Sequence, residues 1–236
     1  MNRCPRIYYR GELNANTTIQ LDEESSHHLL RVLRLQTGQH LAVFNGLENN
    51  EYSAELVGVE NKKAQVKIIE HFIREVESPL KIILGQGISR AERMDYTLQK
   101  SVELGVYEIM PLFTERCGVE LKGDRLAKKL AHWQQVVISA CEQSGRCYVP
   151  IVQSPVSLEQ WLKQLSVDLI VVADPSSKNT LNTFSQNPNT LALLCGPEGG
   201  FSETELALMR NYGVQGFSLG PRILRTETAA LTAISL

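Results

Sequence analysis

The chain has 236 residues, 43% hydrophobic and 21% charged, proportions of an ordinary globular protein that exclude disordered, collagen-like and coiled-coil classes. A formal net charge of −2 gives no overall attraction to nucleic acid, so such a partner has to be met by local clusters. The longest apolar runs, 169–173 and 191–195, are too short to span a bilayer, the N-terminus has no signal-peptide core, and the five cysteines form no CxxC pair. The expectation is therefore a cytoplasmic protein of two domains with reduced thiols and no metal.

From residue 7 to about 72 the chain shows short alternating or apolar runs at 18–21, 40–44, 52–57 and 64–69, broken by Gly38, Gly46 and Gly58. This predicts a small β-barrel with one helix, about 25–35, between its strands. The charged stretch 74–79 reads as a linker. After Pro79 strands alternate with helices, an α/β signature: strands at 80–85, 108–113, 168–173, 191–195 and 214–219, and helices at 90–104, 124–144, 158–165, 203–211 and from 226 onward. Ser202 with Glu205 has the spacing of a capping box.

Two glycine-bearing blocks follow apolar runs near the end of the chain. The first, Gly196 to Phe201, sits between a strand and a helix, where phosphate loops also sit, but it lacks the Gly-Lys-Ser/Thr or GxGxxG that such loops use. The second runs from Leu219 through Gly220, Pro221, Arg222 and Arg225 to Thr226, which is placed to cap a buried terminal helix. Taken singly, each block is also compatible with a structural turn. In the early helix, His27, Arg31 and Arg34 fall at i, i+4 and i+7, opposite Leu29, Leu30 and Leu33. With Arg3, Arg6 and Arg10 they form a basic cluster suited to a phosphate backbone, and a solvated helix face is the other reading.

Several motifs occur together and in order: His28 to Arg34, Arg93 to Gly105, Thr114 to Cys117, Glu142 to Arg146, Gly196 to Phe201 and Leu219 to Ala233. In this combination the chain resembles the RsmE family, SPOUT-type 16S ribosomal RNA uridine-N3 methyltransferases, over nearly its whole length. The resemblance implies a PUA-like β-barrel over 1–73 that binds RNA, and the basic cluster supplies Arg6, Arg10, His27, Arg31 and Arg34 as the candidate RNA-binding residues. It also implies an α/β domain over 79–236 with a parallel sheet and a trefoil knot that binds S-adenosyl-L-methionine. The cofactor residues it implies are Leu194, Gly196, Glu198, Gly199 and Gly200 around the first block. Around the second they are Leu219, Gly220, Ile223, Leu224, Thr226 and Ala229. It further implies a homodimer acting on 16S rRNA in the small ribosomal subunit. Family members usually continue for another helical turn or two past the position of Leu236, which leaves two readings open, a short threaded tail or a truncated chain.

Methylation at N3 of uracil requires a base held in near-attack geometry and the loss of the N3 proton, so the protein needs an anion stabiliser or a general base. Glu142 and Arg146, four apart at the end of the 124–144 helix, are candidates, with an intrahelical ion pair as the plainer reading. Arg116 and Arg225 complete the catalytic candidates. Two alternatives stay open: a related methyltransferase acting on transfer RNA or at a ribose 2′-oxygen, and a non-catalytic RNA-binding or ribosome-assembly module.

Overall fold

The computed structural model describes residues 4–47, 49–119, 121–184 and 187–236. Contacts divide it into one unit of residues 1–77 with 141–149, and another of 78–140 with 150–236.

In the first unit the alternating patterns give β1 (Arg6–Tyr8), β2 (Thr18–Gln20), β3 (His40–Phe44), β4 (Asn50–Glu60) and β5 (Lys63–Ile73). They form one sheet in the order β1-β3-β4-β5-β2, with β1 parallel to β3 and every other pair antiparallel. No ladder joins β1 to β2 among the described residues, so the pairing is that of a sheet with two edges. Period-two alternation sends Ala54, Leu56, Ala64, Val66 and Ile68 to one face, where they are fully buried. β4 and β5 are each longer than their apolar cores suggest. Asn61 and Lys62, both at positive φ (51° and 66°), make the tight turn between them, and positive φ at both central positions suits the twist of a hairpin.

The predicted 25–35 helix is broken in two. α1 (Glu23–His27) starts on Asp22, whose carboxylate accepts the Ser25 N–H at 2.7 Å, and it passes into a π-helical turn over His28–Val32. There the Leu33 N–H reaches back five residues to the His28 carbonyl, and Arg34 leaves at φ 55°. The wider turn disrupts the expected stripes: Leu29 is buried, whereas Leu33 is 42% exposed.

The stretch read as a linker makes defined contacts. The Arg74 N–H donates to the Asn49 carbonyl, its guanidinium pairs with Glu51, and Glu77 pairs with Arg146. Residues 141–149, expected to belong wholly to the second domain, are counted with the first unit because Tyr148 bridges to Gly46 and the Val149 N–H donates to the Gly46 carbonyl.

The second unit is an all-parallel sheet in the order β11-β9-β10-β6-β7-β8. Its strands are β6 (Lys81–Gly87), β7 (Glu108–Phe113), β8 (Val156–Ser157), β9 (Leu169–Ala173), β10 (Thr190–Cys195) and β11 (Gln215–Phe217). The runs are apolar on both faces because helices cover a parallel sheet from both sides. These are α2 (Ala91–Glu103), α3 (Gly123–Ser144), α4 (Leu158–Gln164), α5 (Glu203–Asn211) and α6 (Thr226–Ser235). Met94, Leu98 and Val102 of α2 are fully buried, as helical spacing requires, and Lys100 pairs with Glu103 at 2.7 Å on the polar side. In the order of the sheet, β10 lies between β9 and β6, with Leu193 in register with Val171 and Leu84. The carboxyl ends of parallel strands leave a crevice where connections diverge, and both glycine blocks follow strands that end there. Among the described residues no helix is long and apolar enough to cross a membrane, and no group of three or more His, Cys, Asp or Glu side chains is placed to hold a metal ion.

Candidate active site and nucleic-acid interface

The first glycine block leaves β10 in a tight turn, in which the Gly200 N–H donates to the Pro197 carbonyl. It ends in the capping box of α5: the Ser202 hydroxyl accepts the Glu205 N–H at 3.1 Å, and Glu205 accepts the Ser202 N–H at 2.9 Å. The other Glu205 oxygen accepts the Glu115 N–H at 3.0 Å, tying the segment after β7 to the same turn. Arg116 thereby lies against the block, donating to the Gly199 carbonyl at 3.0 Å. A Cβ on Gly199 would sit 2.9 Å from the Arg116 Cβ, so this close approach depends on a glycine.

The second block meets the first through one side chain. Thr226 does not cap α6 with its hydroxyl, as its position before the helix suggested. Arg225 occupies the N-cap position, and the Thr226 Oγ1 instead donates to the Gly196 carbonyl at 2.5 Å. It also accepts from Gln86 Nε2 at 3.0 Å. Gln86 is fully buried, and the same nitrogen donates to the Gly87 carbonyl at 3.0 Å. Three chain segments, the end of β6, the first block and the start of α6, are thus fastened at one point. Gln86 was missed in the sequence. Its signal was a lone amide between two glycines at the end of an apolar strand, where burial demands partners.

Beside this junction lies a small pocket lined by Ala173, Asp174 and Pro175 after β9, Phe217 at the end of β11, Leu219, Gly220, Arg222 and Leu224 of the second block, and Ala229 of α6. Its walls are mostly apolar, with Asp174 and Arg222 as the charged members, a composition that suits a flat heterocycle with polar substituents. The predicted residues Leu219, Gly220, Leu224 and Ala229 come together here. Leu194 is buried in β10, Gly196 and Thr226 form the junction, and Ile223 is 86% exposed. Glu198 and Gly199 instead line a separate open cleft with Arg90, Glu92, Arg93, Arg116 and Gly118.

Other candidates are placed differently. Arg146 is not paired with Glu142. Gly145, at φ 87°, turns the chain off α3, so Arg146 is buried with its guanidinium on Glu77, Nε to Oε1 at 2.9 Å. Its guanidinium is thus engaged by a carboxylate within the first unit. Glu142 accepts the Tyr8 N–H at 3.0 Å in the first unit, and burial pushes its carboxyl above the usual carboxylate range, partly opposed by that hydrogen bond. Arg6, expected on RNA, pairs with Glu51, donates to the Arg146 carbonyl and stacks over Phe44 with 4.9 Å from Cζ to the ring centre, which makes it a core residue. Arg10, His27, Arg31 and Arg34 are exposed, and Arg3 lies outside the described residues. Arg225 is exposed at the start of α6.

The profile of an RNA methyltransferase domain matches residues 76–236, and that of an RNA methyltransferase PUA domain matches residues 21–69. The chain belongs to this RNA methyltransferase family. It is 40% identical to the ribosomal RNA small subunit methyltransferase E of Buchnera aphidicola subsp. Schizaphis graminum over 99% of this chain and 95% of that one. The enzyme of that name from Bacillus subtilis is 31% identical over 96% and 91%. Among solved structures, the ribosomal RNA small subunit methyltransferase E of Neisseria gonorrhoeae, bound to S-adenosyl methionine, superposes with a TM-score of 0.91 at 38% identity, covering 99% of this chain and 96% of that one. A Legionella pneumophila structure with the bound cofactor SAM superposes with a TM-score of 0.95 at 42% identity over 99% and 96%. The α/β unit and the PUA-like unit are those of the family.

Proposed function

We propose that this chain transfers a methyl group from S-adenosyl-L-methionine to N3 of a uridine in 16S rRNA. The observation that carries the reading is the fastening of two glycine blocks at Thr226, Gly196 and Gln86 beside an apolar pocket, in a chain related end to end to rRNA methyltransferases. The lining of the pocket suits the donor. Leu219, Leu224 and Ala229 offer flat apolar contact, and Gly220, at φ 103°, leaves backbone groups uncovered by a side chain. When bound, S-adenosyl-L-methionine supplies a methyl group made electrophilic by its sulfonium.

The chain's own contribution is to bind, orient and adjust charge. Arg116, set against the first block by the Gly199 carbonyl, and Arg225, at the mouth of the second, supply positive charge that favours a uracil with its N3 proton removed. Arg10, His27, Arg31 and Arg34 offer phosphate contacts on the first unit. The domain division at 73 and 79, a trefoil knot that threads the last segment past the first block, a homodimer, a cytoplasmic location and a small-subunit particle as substrate belong to the same proposal. Hydrogen bonding of Thr226 to Gly196 supports the threaded arrangement, and exposed apolar Ile223 and Leu236 support self-association.

Small subunits from cells lacking the modification, incubated with the protein and S-adenosyl-L-methionine and digested to nucleosides, should yield new N3-methyluridine by mass spectrometry. A 2′-O-methylated product, or none with donor bound, would reject the assignment.

A further inference from the structure

The open cleft beside the first glycine block has a composition that the methyl-donor pocket does not share. It is lined by Arg90, Arg93 and Arg116, with Glu92 and Glu198 as its carboxylates, and none of its residues lines the apolar pocket. Two of its members, Glu198 and Gly199, belong to the block whose Gly196 carbonyl is held by Thr226. Glu198 accepts the Arg90 N–H at 3.0 Å and lies 3.5 Å from the Arg93 guanidinium. Arg116 spends one N–H on the Gly199 carbonyl, a neutral acceptor, and pairs with no carboxylate among the described residues. The Arg90 guanidinium lies over Gly118, within 3.6 Å of where a Cβ would stand.

We infer that this cleft binds a phosphodiester of the substrate RNA strand next to the target uridine, with Arg90 and Arg93 as positioning residues. Guanidinium groups match phosphate oxygens in pairs, and a cleft with three of them against the first glycine block is suited to fixing a strand rather than reading its sequence. Glu198 holds Arg93 and the start of α2 in place, so the phosphate site and the glycine block are parts of one structure. Phosphate held here would set the distance from backbone to base, which is what near-attack placement of N3 needs. This inference rests on the proposed function in taking RNA as the substrate.

The test compares wild type with R90A/R93A and R93K. Binding of a fluorescent 12-residue oligouridylate is measured across a range of salt, binding of S-adenosyl-L-methionine by calorimetry, and methylation on unmodified small subunits. R90A/R93A should weaken oligouridylate binding on the order of tenfold and lower the slope of log affinity against log salt by about 0.7, the loss of one phosphate contact to single-stranded RNA. It should raise KM for small subunits while leaving donor affinity within about twofold of wild type, and R93K should retain the salt slope. Unchanged oligouridylate affinity and salt slope would overturn the inference. Loss of donor affinity would also overturn it, because the arginines would then serve the donor's carboxylate. Weakened RNA binding in a protein whose wild type makes no N3-methyluridine would uphold the cleft and reject the methylation reading instead.

Discussion

Arg146 and Glu77 form a two-pronged ion pair, Nε to Oε1 at 2.9 Å and Nη2 to Oε2 at 2.5 Å, with the arginine side chain only 4% exposed. Removing one partner of such a pair leaves an uncompensated charge in a poorly solvated place. R146A should therefore destabilise the protein by about 3–5 kcal/mol, read as a lower urea midpoint. Donor affinity in the surviving folded fraction should be unchanged, since the pair belongs to the first unit. A stable R146A protein without activity would restore Arg146 to the catalytic machinery.

Thr226 links the two glycine blocks by its hydroxyl. Replacing it with valine keeps the shape and removes both hydrogen bonds, leaving the Gly196 carbonyl with one partner fewer and the Gln86 amide short of an acceptor. The cost should be about 1–3 kcal/mol. Calorimetry should show donor affinity reduced on the order of tenfold, whereas T226S should come within a few-fold of wild type.

Gly220 sits at φ 103° with nothing within 4 Å of where a Cβ would be. G220A thus adds no clash and tests backbone strain alone, of order 1–3 kcal/mol. That strain falls on a loop that lines the donor pocket, so the loss should be larger in donor affinity than in global stability. Thermal melts with and without donor would show whether the two separate.

Burial raises the Glu142 carboxyl above its usual value, with the Tyr8 N–H opposing. The folded protein then holds this proton more tightly than the unfolded chain does. The resulting stability is fully present below the unfolded pKa and is lost as pH rises through the raised folded value. E142Q removes the titration while keeping an acceptor for the Tyr8 N–H. The stability of wild type relative to E142Q should therefore fall between acidic and neutral pH, in urea titrations at several pH values. A flat difference would mean that Glu142 is solvated.

Much of the second unit was legible because its signals are local. Apolar runs separated by caps placed β6, β7, β9, β10 and β11 and α2, α3 and α5 within a residue or two, whereas the two-residue β8 was not predicted, and the Ser202–Glu205 box was readable from spacing alone. Errors arose where one residue's partner lies far along the chain. Arg6 and Arg146 look like surface cations in sequence, but Glu51 and Glu77, 45 and 69 residues away, draw them into the interior. Thr226 has the composition of a cap, yet a carbonyl 30 residues earlier competes successfully for its hydroxyl. The π-helical turn at His28–Val32 defeated a stripe drawn on ordinary helical spacing, because the expected phase holds only if every turn has the same width. Arg90 and Arg93 were passed over since an arginine at the start of a helix has no sequence mark that tells a cleft from open solvent.

The inclusion of residues 141–149 in the first unit has a consequence for synthesis. A chain emerging from the ribosome has all five strands of the first sheet in hand once Ile73 is out, yet the carbonyl and guanidinium of Arg146, the bridge from Tyr148 and the carboxylate of Glu142 are still unmade. Until then Arg6 and Glu77 lack the Arg146 groups that complete their charge network. Folding of this unit therefore cannot finish in strict order from the N-terminus. A fragment cut at the apparent boundary near Pro79 should be markedly less stable than the same unit within the full chain.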